Sequence, residues 1–192
     1  EAVRPLELKG KAQRVAAFRL VAAPGLDGLV RRHDRPLVGR DAELATLAAL
    51  YGEVLRERSA RLVTVIGDAG FGKSRLVREV IDHIAVGARV LSGRCLPYGD
   101  GITFWPLLMM VREAADIRDT DSPEIALAKL LQAVGDSEVA DRLASAAGLT
   151  TASFPLAELN WAARKFFERW ASAGPLLAFV DDIHWAEPAF LD

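Results

Sequence analysis

From residue 36 onward the apolar positions alternate between two patterns, short continuous runs and stripes at helical spacing. Leu44, Leu47, Ala48, Tyr51, Val54 and Leu55 recur at helical steps behind Asp41, which can cap the helix they predict. Leu62-Val-Thr-Val-Ile66 is a nearly unbroken β-favouring run, the pattern of a strand buried on both faces of a parallel sheet. A helix starting inside the glycine-rich segment beyond it has Leu76, Val77, Val80, Ile81 and Ile84 as its buried stripe. Ala88-Arg-Val-Leu-Ser92 predicts a second strand and Leu176-Leu-Ala-Phe-Val180 a third. Helices are predicted near 107–118, 123–134, 136–147 and 155–172. In the last, Leu159, Ala163, Phe166, Phe167 and Trp170 share a face, and Ser122-Pro123 is a capped start with a first-turn proline. Strands alternating with helices predict an α/β fold on a parallel sheet.

The first part of the chain differs. Residues 5–21 read as two strands joined at Gly10, with Ala16, Phe18 and Leu20 alternating against Arg19. Residues 22–35, with Pro24, Gly25 and Gly28, read as a linker. A lone hairpin is marginal in water, so this one is expected to belong to a sheet lying upstream. The chain opens on Glu1 without an initiator Met or an apolar signal core, and it closes at Asp192 in what reads as the start of a helix. Both ends lead us to expect a piece of a longer protein.

Composition narrows the classes. Of 192 residues, 51% are apolar and 26% charged, the balance of a soluble globular protein rather than a disordered one. A net charge of −2, with no basic run beyond Arg31-Arg32, gives no pull toward nucleic acid or an anionic membrane, and neither is expected as a direct partner. Cys95 is the only cysteine, which excludes an internal disulfide and a cysteine-based metal site and fits a reducing, cytoplasmic setting. His33, His83 and His184 lack zinc-ligand spacing. No apolar run reaches the roughly 20 residues of a membrane helix.

The chemistry concentrates in Gly67-Asp-Ala-Gly-Phe-Gly-Lys73-Ser74, a full match to the phosphate-loop pattern G-x-x-x-x-G-K-[ST]. Gly67, Gly70 and Gly72 are expected in backbone conformations that a Cβ would penalise, turning successive N–H groups inward around a phosphate. The helix beginning near Lys73 adds its positive end. Lys73 supplies a compact charge to β- and γ-phosphates, and the Ser74 hydroxyl ligates Mg²⁺. A chain of this length shows the pattern by chance roughly once in a hundred cases. The preceding apolar run and the following amphipathic stripe supply the strand–loop–helix setting that the mechanism needs.

Leu176–Val180 ends in Asp181-Asp182, so two carboxylates stand at the carboxyl end of a predicted parallel strand, where ligands bind in such sheets. By itself an apolar strand ending in Asp is an ordinary turn. Beside a phosphate loop it has the form of a Walker B element, with Asp181 holding Mg²⁺ and Asp182 orienting or activating the attacking water.

These motifs together resemble the AAA-type or signal-transduction (STAND) ATPases of large multidomain regulators. The resemblance rests on Leu37-Val-Gly-Arg40 with Asp41, Glu43 and Leu44, on Gly67 through Leu76, and on Asp181-Asp-Ile-His-Trp-Ala186. Gly93-Arg-Cys-Leu-Pro-Tyr-Gly-Asp-Gly-Ile-Thr-Phe-Trp-Pro106 is similar to a loop of the branch attached to class III adenylate/guanylate cyclases and LuxR-type regulators. Residues 6–21 are similar to the closing hairpin of such a cyclase domain.

The resemblance implies a three-layer P-loop NTPase sheet, incomplete at the C-terminal side and preceded by a β-hairpin. It divides the chain into a cyclase-like remnant (1–22), a linker (23–35) and an ATPase part (36–192). It implies ATP with Mg²⁺ as ligands. The nucleotide would be held by Gly67, Asp68, Ala69, Gly70, Phe71, Gly72, Lys73, Ser74 and Arg75, with Val38 and Arg40 near the adenine. Lys73 and Asp182 would be catalytic, and Ser74 and Asp181 the metal ligands. His184 and Trp185 match the family segment after the acidic pair and are read as packing residues, as are Tyr98, Phe104 and Trp105, with Cys95 a small buried residue. In the related folds another strand, later in sequence, lies between the phosphate-loop strand and the acidic strand. The chain by itself is therefore expected to bind nucleotide without turning it over, and to make no cyclic nucleotide. The implied partners are an upstream cyclase domain, a downstream output domain and a nucleotide-dependent oligomer. Three readings stay open: a regulatory ATPase module, a non-hydrolysing nucleotide sensor or scaffold, and a piece of an adenylate cyclase.

Overall fold

The computed structural model describes residues 2–6, 13, 15–18, 37–97 and 103–191. The chain divides into two units, residues 1–38 and 39–192. In the first, β1 (Ala2–Leu6) pairs antiparallel with β2 (Val15–Phe18). The register shifts between Val3 and Leu6, where Pro5 cannot donate to the ladder. The first strand thus starts before the predicted window. Gly10, the predicted linker at 22–35, His33 and Tyr98 lie outside the described residues.

The second unit opens with α1 (Asp41–Glu57). Asp41 is the first helical residue rather than the cap, and Arg40 occupies the cap position without a capping side-chain bond. Asp41 and Glu43 instead place negative charge in the first turn, where the helix dipole favours it. Helix α2 (Lys73–Glu79) widens into a π-helical turn at Val80–Ile84, closed by the bond from Ala85 N to Val80 O. Leu76 and Val80 of the predicted stripe are buried, and α1 packs on the widened turn.

Strands β3 (Arg89–Arg94) and β4 (Leu176–Asp181) form a two-stranded parallel sheet, running in register from Arg89↔Leu176 to Arg94↔Asp181. β3 extends two residues past its predicted end. Between the strands lie α3 (Trp105–Ala114), α4 (Pro123–Val134), α5 (Ser137–Ala146) and α6 (Leu156–Ala173). Their ends follow from local chemistry. Ser122 and Asp136 cap α4 and α5 by accepting first-turn N–H groups, and Gly135 closes α4 in the left-handed region. Helix α3 stops earlier than its apolar spacing suggests. Asp116 turns left-handed (φ 51°), and Ile117 N bonds back to Arg112 O in a Schellman closure. A short turn (Ile183–Trp185) and α7 (Pro188–Leu191) follow β4.

The main core sits in this helical insertion and against β3. Leu91, Met110, Val111, Leu130, Val139 and Phe166 are its largest fully buried side chains. The Leu62–Ile66 run departs from expectation. It forms no regular secondary structure, and Leu62 and Ile66 are 95% and 89% exposed. A strand persists only where its N–H and C=O groups find a ladder, and no described segment pairs with this one. The parallel sheet among the described residues is therefore two strands wide rather than three.

Two predictions follow from the packing. A Cβ at Gly93 would lie 2.4 Å from Pro106 O and 2.8 Å from its Cα, so α3 approaches β3 as closely as a glycine allows. Gly93→Ala should destabilise the fold by about 1–3 kcal/mol in urea unfolding. In the α3–α4 connection, Asp121 Oδ2 accepts from Arg118 N (2.8 Å) and Lys129 Nζ (2.7 Å). These bonds, the backbone one foremost, hold the Asp121 carboxyl below the usual carboxylate range. A depressed folded pKa contributes stability above the unfolded-state pKa, and that contribution is lost as pH falls through the folded value. Asp121→Asn should lower the melting temperature at neutral pH, and the gap from the parent should close in acid.

Candidate functional site

The phosphate-loop motif forms a turn between residue 66 and α2. Gly70 and Gly72 take φ of 82° and 79°, conformations that L side chains rarely adopt. Nothing lies within 4 Å of a Cβ built at either position, so neither glycine is crowded by its surroundings and backbone conformation is what favours glycine there. Gly67 differs from the sequence expectation. Its φ is not left-handed, and a Cβ there would make only ordinary contact with the Lys73 stem at 3.9 Å. Phe71 N bonds to Asp68 O (3.3 Å), tightening the turn, and the Phe71 side chain is exposed.

Lys73 folds its ammonium over this turn, donating to Gly67 O (2.8 Å) and Asp68 O (2.9 Å). Both acceptors are carbonyls, so the full charge of Lys73 sits at the loop without a carboxylate partner among the described residues. Ser74 lies exposed in the first turn of α2, and the N–H groups of a first turn have no intrahelical partners. Arg75 pairs with Glu79 at 2.9 Å along the helix. Arg40 reaches the loop from the start of α1, donating to Phe71 O (3.2 Å) while pairing with Glu43 (2.6 Å). That bond from Arg40 holds the Glu43 carboxyl below its usual range. Val38 is exposed.

At the sheet edge, β4 delivers Asp181 and Asp182. Asp181 Oδ1 accepts from Asp182 N (3.0 Å), and Asp182 is left-handed (φ 55°, ψ 37°), so the chain turns sharply where the carboxylates stand. Cys95 N bonds to Asp181 O (3.0 Å), extending the ladder by one step. Arg94 Nη2 donates to Asp181 Oδ2 (2.9 Å), and its Nε lies 3.6 Å from Asp182 Oδ2. The Cys95 thiol is buried; desolvation, then the Asp182 charge, push its pKa up. Cys95, Thr103, Trp105, Trp185 and Glu187 line a small cleft beside this edge, with Thr103 hydrogen-bonded to Glu187. The His184 and Trp185 rings touch at a tilt of 45° with centroids 5.0 Å apart, and Trp185 remains half exposed.

The predicted residues thus form two clusters, Arg40 with the loop and Asp181 with Asp182. No hydrogen bond or ion pair joins Lys73 or Ser74 to either aspartate among the described residues. No group of three His, Cys, Asp or Glu side chains among those residues could hold a metal by itself. The donor set nonetheless fits a hard cation carried by phosphates, for which one hydroxyl and one carboxylate suffice beside phosphate oxygens and water. The left-handed glycine turn and the carbonyl-bound Lys73 fit the phosphates themselves.

Arg94 was given no role by the sequence reasoning. Its signal lay in the register, because a residue ending β3 faces the residue ending β4.

The model of the AAA ATPase domain matches residues 36–192. The chain belongs to this family. AAA ATPase domains bind ATP with Mg²⁺, and the α/β fold with its parallel strands agrees with membership. An uncharacterized protein of Rhizobium meliloti (strain 1021) is 32% identical over 202 aligned positions. That match covers 97% of this chain, which spans 20% of the relative's length. No solved structure matches the chain. Among the described residues, no helix of this AAA ATPase domain chain is long and apolar enough to cross a membrane.

Proposed function

We propose that the chain binds ATP with Mg²⁺ and acts as the regulatory ATPase module of a multidomain signalling protein. The observation that carries the binding step is the left-handed turn at Gly70 and Gly72 with the Lys73 ammonium held over it by carbonyls alone. In this reading the Gly67–Ser74 backbone cradles the phosphates and Lys73 neutralises their charge. Ser74 and Asp181 hold the cation, and Asp182 orients water toward the γ-phosphate. Bound ATP·Mg²⁺ supplies a phosphoanhydride with a polarised terminal phosphate. Arg40 belongs to the same unit by bracing the loop at Phe71 O, on the adenine side in this reading. The whole domain is read as a three-layer P-loop sheet in which Leu62–Ile66 becomes a paired strand.

The signalling context rests on the likeness of Gly93–Pro106 to loops of cyclase-associated and LuxR-type regulators, and on the likeness of residues 6–21 to a cyclase hairpin. The much longer Rhizobium relative fits a multidomain parent. Nucleotide state would then gate an output domain in the cytoplasm by ordering the loops around the γ-phosphate, with oligomerisation as one route.

Lys73→Ala should weaken ATP·Mg²⁺ binding by about 10–100-fold in calorimetry, the cost of losing charged hydrogen bonds to phosphate. Unchanged affinity would remove the loop from the reading. In the full-length protein, Asp182→Asn should leave affinity in place and abolish any phosphate release. Release that persists assigns the water-orienting role elsewhere, and no release from the parent protein favours the sensor reading.

A further inference from the structure

Asp181 is a cation ligand in the proposed function, yet a cation already faces it. Its Oδ2 accepts from Arg94 Nη2 at 2.9 Å, and its Oδ1 accepts from Asp182 N at 3.0 Å. The same guanidinium lies 3.6 Å from Asp182 Oδ2, so Arg94 bridges both carboxylates of the pair. This is a consequence of register. Arg94 and Asp181 are the last paired residues of the parallel ladder, and the Cys95 N to Asp181 O bond fixes the backbone beside them. Two adjacent carboxylates at one strand end repel each other, and a guanidinium fork is the side chain best shaped to bridge such a pair and offset one of its two charges.

We propose that Arg94 is the resident counter-ion of the acidic pair, which Mg²⁺ must displace from Asp181 when nucleotide binds. Asp181 has one oxygen tied to the backbone and the other held by Arg94, so a metal would compete with the guanidinium for this carboxylate. The guanidinium is 57% exposed and its partner 21%. The pair is therefore weak enough to open, since solvent-exposed ion pairs contribute little. It still sets a threshold. At low Mg²⁺, Arg94 keeps Asp181 pinned and offsets one of the pair's two charges. Displaced from Asp181, the guanidinium would turn toward solvent or stay with Asp182, which it already approaches at 3.6 Å. Arg94 acts through Asp181 and is a positioning residue rather than a catalytic one.

This inference rests on Asp181 being the metal ligand, and the test separates the two. ATP binding is measured by calorimetry over a series of free Mg²⁺ concentrations and in EDTA. Arg94→Ala should lower the Mg²⁺ concentration giving half-maximal tightening by about two- to fivefold, the range of a partly exposed ion pair. Affinity in EDTA should stay the same. Arg94→Lys, which keeps a cation at the strand end, should restore most of the parental Mg²⁺ requirement. An unchanged or increased Mg²⁺ requirement in Arg94→Ala overturns the counter-ion role. Asp181→Asn should abolish the Mg²⁺ dependence. If it does so while Arg94→Ala changes nothing, only the counter-ion proposal falls. If Asp181→Asn keeps the dependence, the metal-ligand reading falls and takes the proposal with it.

Discussion

The parallel ladder between β3 and β4 determines where the acidic chemistry of this chain stands. Six consecutive register pairs carry Arg89 opposite Leu176 and end with Arg94 opposite Asp181. Because the strands are parallel, both end at the same edge, and a parallel pair needs a long crossover. Helices α3 to α6 provide it, and they also hold most of the buried core. Gly93 permits the approach that packs α3 against β3, and Leu91 on the same strand joins the helical core. The insertion is thus the support on which the ladder and its terminal carboxylates rest.

Much of this was written in the sequence. The helices of the insertion appear within a few residues of their predicted spans because Ser122, Asp136 and Gly135 are local signals that tertiary context does not override. Helix α3 ends short of its predicted span because its end depends on Asp116 turning left-handed, which apolar spacing cannot report. The phosphate loop was legible from residue identity alone, yet only Gly70 and Gly72 of its three motif glycines are left-handed. The Leu62–Ile66 run shows the limit of pattern. Its composition is that of a buried strand, but burial and pairing come from neighbours, and none of the described segments supplies them. Arg94 was invisible for a related reason, since only register discloses which residue faces Asp181.

The candidate site consequently consists of two halves with different preparation. On one side, the backbone is already left-handed at Gly70 and Gly72, and Lys73 is bound only to carbonyls. On the other, Arg94 bridges Asp181 and Asp182 and offsets one of their two charges. In the proposed function both halves serve one ligand, and the phosphate-borne cation is the group that would bridge them. The central claim is that the loop backbone receives the phosphates while Asp181 receives the metal.

Amide NMR of the chain during titration with ATP·Mg²⁺ tests this most directly, because it reports on the backbone donors themselves. The account predicts that the largest shifts fall on the amides of Gly67–Ser74, with a second group at Asp181 and Asp182 that appears only when Mg²⁺ is present. Saturating ATP·Mg²⁺ that leaves the Gly67–Ser74 amides unmoved would contradict it.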